Sequence, residues 1–375
     1  MPQGFRPVDY GFTPIAYRRE IKGIYQPSAT READMGPYAR HLVGFMVLTA
    51  ATPSLTRVAE AAEGGLSFYI EGQAVPLGGI VPPPGLYFDS TTYFYNAKIG
   101  ANRTTQIGGN VVANVNVNLV ANFATALWVT PVQVLGGDLA FAFVMPFGEP
   151  AVRAGVLLDG PLINQRVGRP LGVTVSDRDF NPGDPIVSAS LGWHSGSWHW
   201  KLAGVLSIPA GGYEPGQLSN VALNRYIGDI SSGATYLDPA VGIDLSAVAG
   251  FTINGTNPVT RYTTGNEFHV DVSASMYLTK EVTVGVIASH YQQITGDSGS
   301  GARVGPFKGR VTAVGGTIGV TGEFGKIPVT ARLKVLREVE VENRFQGTIG
   351  FFEVSFPLWI APPKVAEPRP LATKS

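Results

Sequence analysis

The 375-residue chain contains no cysteine, which excludes thiolate catalysis, cysteine-ligated zinc and disulfide cross-links together. Charge is also scarce. Lys, Arg, Asp and Glu make up only 15% of the residues, against about 25% in an ordinary soluble domain. Neither sign dominates, with 28 basic and 28 acidic residues. A nucleic-acid ligand requires an excess of Lys and Arg to displace counterions from phosphates, so DNA and RNA partners are excluded. Five histidines leave little material for a multi-histidine metal centre. A helix-length apolar run is missing as well: the run 42–51 (LVGFMVLTAA) is half of the roughly 20 residues needed to cross a bilayer as a helix.

That short run has a different reading. Arg40 precedes it as a positive n-region, and Ala59-Glu60-Ala61 follows as a small-x-small cleavage site. This is the pattern of a secretory signal peptide starting at Met35 and cleaved after Ala61, with residues 1–34 an upstream extension. Residues 62–358 then form the expected domain, and 359–375 a Pro-rich C-terminal tail.

Beyond Ala61 the apolar residues recur every second position, the period of a strand. Phe268, Val270, Val272, Ala274, Met276 and Leu278 share one face, and Glu267, His269, Asp271, Ser273, Ser275 and Tyr277 the other. Asn114, Asn116 and Asn118 alternate with Val115, Val117 and Leu119, and Trp198, Trp200 and Leu202 with His199 and Lys201. The chain is therefore all-β. A soluble sandwich would have strands of about five or six residues and a charged solvent face. Many strands here reach the roughly 9–11 residues of a tilted bilayer crossing, and their polar face is Asn, Ser, Thr, Gly and Tyr. Trp193, Trp198 and Trp200 bracket a tight turn, and Tyr87, Phe88, Tyr93, Phe94 and Tyr95 crowd the first long strand. Such rings fit the interfacial girdles of a membrane barrel.

The expected architecture is an antiparallel transmembrane up-and-down β-barrel of about 12 strands. They are placed at 86–97, 112–130, 138–147, 184–194, 197–208, 219–227, 236–252, 267–279, 282–294, 309–321, 327–339 and 344–356. Short gaps fall at one end of this barrel and long ones, notably 148–183, at the other. In the last strand Phe352, Val354 and Phe356 present an aromatic-ended outer face of the kind read by the barrel assembly machinery. Ile349 and Phe351 stand in the opposite phase, which implies a bulge or an apolar patch inside.

Read with the apolar face toward lipid, the interior would be lined by Asn114, Asn116, Asn118, Asn122, His199, Lys201, Glu267, His269, Asp271, Ser273, Tyr277, Tyr291, Gln293, Arg332 and Lys334. Two readings of that lining stay open: a path for solute, or side chains that pair and fill a narrow barrel. His269, Asp271 and Ser273 supply the residue types of a hydrolytic triad. However, same-face neighbours on a strand lie about 7 Å apart, beyond the roughly 2.6–3.2 Å that nucleophile activation requires. His194 and His199 are expected in opposite phase. No catalytic residue, metal or cofactor is expected.

Residues 82–88 (PPPGLYF), 257–268 (NPVTRYTTGNEF) and 291–299 (YQQITGDSG) resemble segments of a family named for the meta-pathway of phenol degradation. The likeness runs from about Gly64 to Leu358. It implies a signal-bearing outer-membrane β-barrel of Gram-negative bacteria, surrounded by outer-membrane lipid, that passively takes up small aromatic or other hydrophobic molecules. The alternative is a non-conducting barrel with a structural or surface-interaction role.

Overall fold

The computed structural model describes residues 63–65, 67–99, 104–158 and 171–362. The signal-peptide stretch at 1–61 and residues 363–375 of the tail lie outside the described residues. Twelve antiparallel strands wind in chain order into a closed barrel: β1 (Gly85–Lys98), β2 (Asn110–Val134), β3 (Gly137–Leu158), β4 (Ile186–Ser195), β5 (Trp198–Ser207), β6 (Ile227–Asp238), β7 (Ile243–Asn254), β8 (Glu267–Tyr277), β9 (Val282–Gln293), β10 (Arg310–Phe324), β11 (Ile327–Glu342) and β12 (Gln346–Ile360). Pairing of β12 with β1 closes the wall, from Gly85 opposite Ile360 to Lys98 opposite Gln346. Closure leaves no unpaired edge, which is what lets a β-structure cross hydrocarbon.

The strand count matches the sequence reading, but one strand differs. Residues 219–226 are not a strand; they belong to the long connection after β5. The sixth strand is Ile227–Asp238, and the single stretch expected at 236–252 is split by a turn at 239–242. Gly228, Gly233, Ser231 and Ser232 dilute the hydrophobic alternation of β6, so its period is faint. The region expected as a long outer loop, 148–183, is largely a continuation of β3 paired with a strand at Leu171–Arg178.

One end of the barrel carries tight turns, the other the long connections. At the turn end β2 and β3 join through Leu135 and Gly136, both left-handed at φ 51° and 74°. Paired positive φ values match the twist of a two-residue hairpin.

The wall is uneven. The strands β4 to β9 have 10–12 residues, about one bilayer crossing. Strands β10 to β12 and β1 to β3 have 14–25, so that half of the wall is taller; β10 and β11 extend past β9 at the turn end. The outer surface is apolar around the wall: Phe94, Val120, Phe141, Trp200, Leu202, Leu245, Phe268, Val272, Met276, Val286, Ile318, Leu333 and Phe352 are all exposed. His269, Asp271 and Ser273 are buried inside. The expected polarity of β8, oily out and polar in, is the one observed. Trp198 and Trp200 are exposed on the outer face near the turn end, and Trp193 Nε1 donates to Leu135 O across adjacent turns at 3.1 Å. Tyr93 and Tyr95, expected in a girdle, are instead buried in the interior.

Candidate functional site

The interior is not an open pore. Residues 63–65 and 67–84, ahead of β1, run inside the barrel from the loop end to the turn end, held against the wall. Near the loop end the Glu63 N–H donates to Thr264 Oγ1 at 3.3 Å, and Asn257 Nδ2 donates to Glu63 Oε2 at 3.1 Å. Lower down, the Leu77 N–H donates to Ser246 Oγ at 3.0 Å and the Gly79 N–H to Thr235 Oγ1 at 2.9 Å. Where this plug touches the wall, side chains give way to glycine. A β-carbon on Gly192 would overlap Val81, and one on Gly233 would meet Gly78 O.

Asp271 is the main anchor. Its carboxylate accepts from the Tyr69 hydroxyl and from the N–H groups of Gly72 and Ala74, at 3.0 and 3.2 Å for the latter two. Opposite, Lys334 Nζ donates to Gly72 O and Gln73 O at 3.2 and 3.1 Å while pairing with Glu353 at 2.7 Å. One carboxylate thus takes the plug's donors and one ammonium its acceptors, which satisfies irregular backbone enclosed in the barrel. Tyr69 stacks on His269 with ring centroids 4.1 Å apart. Burial and the adjacent Asp271 charge push the Tyr69 phenol well above its usual range, so it remains a donor. Higher up, Arg344 lies 3.6 Å from Glu71, donates to Ser67 Oγ at 3.2 Å and covers the Tyr291 ring at 4.3 Å. Burial pushes the Glu71 carboxyl up and the Arg344 charge draws it back.

His269 Nε2 meets Asp229 Oδ2 at 2.9 Å, and Thr252 Oγ1 donates to the same oxygen at 2.6 Å. A carboxylate only accepts, so this pairing assigns the ring hydrogen to Nε2. His269, Asp271 and Ser273 therefore take separate partners and form no relay: His269 binds Asp229, Asp271 binds the plug, and the Ser273 hydroxyl is buried without a partner.

Between the plug and the wall, from β1 to β3 and round to β4–β8, lies a cavity of about 350 Å³. Tyr93, Tyr95, Leu119, Ala121, Phe123, Val144, Ile186, Val205 and Val248 line it from the wall, and Phe68 and Ile70 from the plug. Polar groups border it in several places: Asp229, Ser231 and His269 on β6 and β8, Asp184 and Asn220 in the connections, and Glu71 and Arg344 beside the plug. An apolar cavity of about 150 Å³ already accommodates benzene. A space of this size, apolar over most of its lining with polar groups at its borders, suits a small, mostly apolar molecule that carries polar substituents.

Of the residues expected inside, His199, Lys201, Glu267, His269, Asp271, Ser273, Tyr277, Tyr291, Gln293, Arg332 and Lys334 point inward. Only His269 lines the cavity; Asp271 and Lys334 grip the plug, and Gln293 binds Asp297 and Phe307 O at 2.6 and 3.3 Å. Asn114, Asn116, Asn118 and Asn122 do not belong to the interior. The first three are exposed, and Asn122 donates to Ser90 Oγ and Thr92 Oγ1 on the outer face at 2.9 and 3.1 Å. Val115 and Val117 point inward instead, because the inner face of this half is apolar. His194 and His199 also depart from expectation: they are cross-strand partners on the same face, ring centroids 6.2 Å apart. Among the described residues no group of three or more His, Cys, Asp or Glu is arranged to hold a metal. Sequence reading missed the plug and the apolar lining of the cavity. The one available signal was the inverted phase of Ile349 and Phe351, which are indeed an apolar patch inside.

The family described as "Putative MetA-pathway of phenol degradation" matches residues 101–353. No curated protein matches. Among solved structures, an outer membrane channel from Pseudomonas putida F1 is similar at a TM-score of 0.57 and 14% identity, covering 75% of this chain and 98% of that one. A Pseudomonas aeruginosa FadL homologue gives 0.37 at 7% identity, covering 72% and 89%. The transport unit of the autotransporter AIDA-I from Escherichia coli gives 0.41 at 9% identity, covering 77% and 93%.

Proposed function

The chain belongs to the family of the MetA-pathway of phenol degradation, and on that premise we propose that it is an outer-membrane channel for passive uptake of small aromatic or other hydrophobic molecules. The observation that carries this reading is the cavity of about 350 Å³, mostly apolar in its lining, between the wall and a hydrogen-bonded plug. Solute enters from the loop end, rests against Tyr95, Leu119 and Phe123, and passes when the plug gives way. The mostly apolar lining leaves most of a sugar's hydroxyls without partners, so sugars are excluded. The apolar outer surface is the contact with outer-membrane lipid, the outward Phe352, Val354 and Phe356 are the contact with the assembly machinery, and residues 35–61 direct export.

A second reading, a non-conducting barrel with a structural role, is favoured by the plug itself, which occupies the lumen. Swelling of liposomes containing the protein separates the two. The channel reading expects swelling in isosmotic small aromatics and none in sugars of similar size. Exclusion of both classes would leave the structural reading.

A further inference from the structure

The asparagine ladder of β2 faces outward, and its neighbours give it a purpose. Each of four adjacent strands in the taller half has an exposed apolar residue on its outer face, Val335 on β11, Phe352 on β12, Phe94 on β1 and Val120 on β2. Toward the loop end the outward side chains then become polar: Arg337, Thr348, Asn96 and Asn118. These four lie in one row, with Asn96 opposite both Asn118 and Thr348, and Thr348 opposite Arg337. A second row one step higher holds Gln346, Lys98, Asn116 and, on β3, Arg153.

Lys98, Arg153 and Arg337 are exposed and make no ion pair among the described residues; Arg337 Nη1 only donates to Thr348 Oγ1 at 3.0 Å. Carboxylates on the neighbouring outer surface are already taken: Glu149 by Arg178, and Glu340 and Glu342 by Arg310. Strands are spaced about 4.8 Å apart, so Lys98 stands roughly 10–12 Å from each of the other two cations and Arg153 about 20 Å from Arg337; with their long side chains the three span a head group that carries two phosphates. The surrounding amides add donors. In the shorter half no such belt exists: Leu206, Ile253 and Phe268 keep the outer face apolar near the loop ends.

We infer that this belt is a docking surface for a phosphorylated glycolipid of the outer leaflet, its phosphates held by Lys98, Arg153 and Arg337 and its acyl chains against Phe94, Val120 and Phe352. The inference rests on the outer-membrane part of the reading above and is independent of channel activity. A cation at an anionic membrane surface is worth about fivefold in binding, so three together give roughly 100-fold.

The test reconstitutes the full chain in vesicles containing bisphosphorylated lipid A, or the same lipid dephosphorylated, and measures lipid retained after mild detergent extraction. Retention should favour the bisphosphorylated form, resist competition by inorganic phosphate, and fall at least tenfold in the Lys98→Gln/Arg153→Gln/Arg337→Gln variant. Arg310→Gln is the control and should retain lipid normally. Equal retention of both lipids, or full retention by the triple variant, would overturn the inference while leaving the channel reading untouched. Failure of the wild-type chain to float with the vesicles would remove both.

Discussion

The two halves of the barrel present opposite interiors. Strands β6 to β9 turn Asp229, Thr235, Asp244, Ser246, Glu267, His269, Asp271, Ser289 and Gln293 inward. Strands β12 and β1 to β3 turn Tyr93, Tyr95, Val117, Leu119, Ala121, Phe123, Val152, Ile349 and Phe351 inward. The polar half, with Lys334 on β11, holds the plug because irregular backbone requires hydrogen-bond partners, and the apolar half leaves the plug a surface it cannot bond to. The cavity opens where the plug leaves that apolar surface, and it reaches round to Ile186, Val205 and Asp229. A barrel can thus be closed and still keep a site, provided its two inner faces differ in chemistry.

The largest effect should come from breaking the grip of the polar half. Asp271→Ala strands one phenol and two backbone N–H groups at roughly 1–3 kcal/mol each. It should release the plug and raise solute flux into liposomes more than tenfold; unchanged flux would mean that Asp271 does not hold the plug shut. Next comes the outer surface of the shorter half. Val272→Arg places a charge in the middle of the apolar band and should cost about 2–4 kcal/mol in urea unfolding from vesicles. Filling the cavity from the apolar half is a smaller perturbation. Ala121→Phe puts a ring into the space that Ala121 lines, at a stability cost of no more than the roughly 1–3 kcal/mol of overpacking, and should slow aromatic uptake about tenfold without admitting sugars. The least effect is expected above the band, where Asn118→Arg should cost about 0–1 kcal/mol. If Asn118→Arg were as costly as Val272→Arg, the taller half would not extend beyond the hydrocarbon.

The same contrast explains how far the sequence could be read. In β8 both conditions of a membrane strand hold, lipid outside and polar partners inside, so Phe268 to Met276 declare the fold by alternation alone. In β2 neither holds at the loop end: Asn114, Asn116 and Asn118 face outward above the apolar band, and Val115 and Val117 face an apolar interior. The alternation is as regular as in β8 with its meaning reversed, and periodicity alone does not say which face is inside. The sixth strand was lost because Gly228, Ser231, Ser232 and Gly233 weaken its period. The plug was invisible for a further reason. Gly72, Pro76, Gly78 and Gly79 read as a loop, and only the distant Asp271, Lys334 and Ser246 give that loop its place.

Because the chain has no cysteine, one engineered pair tests the central claim that solute passes only when the plug moves. A β-carbon on Gly78 would fall on the Val248 side chain, so Gly78→Cys with Val248→Cys should tie the plug to the wall when oxidised. Aromatic flux into liposomes should cease in the oxidised protein and return on reduction. Equal flux in the two states would contradict the account.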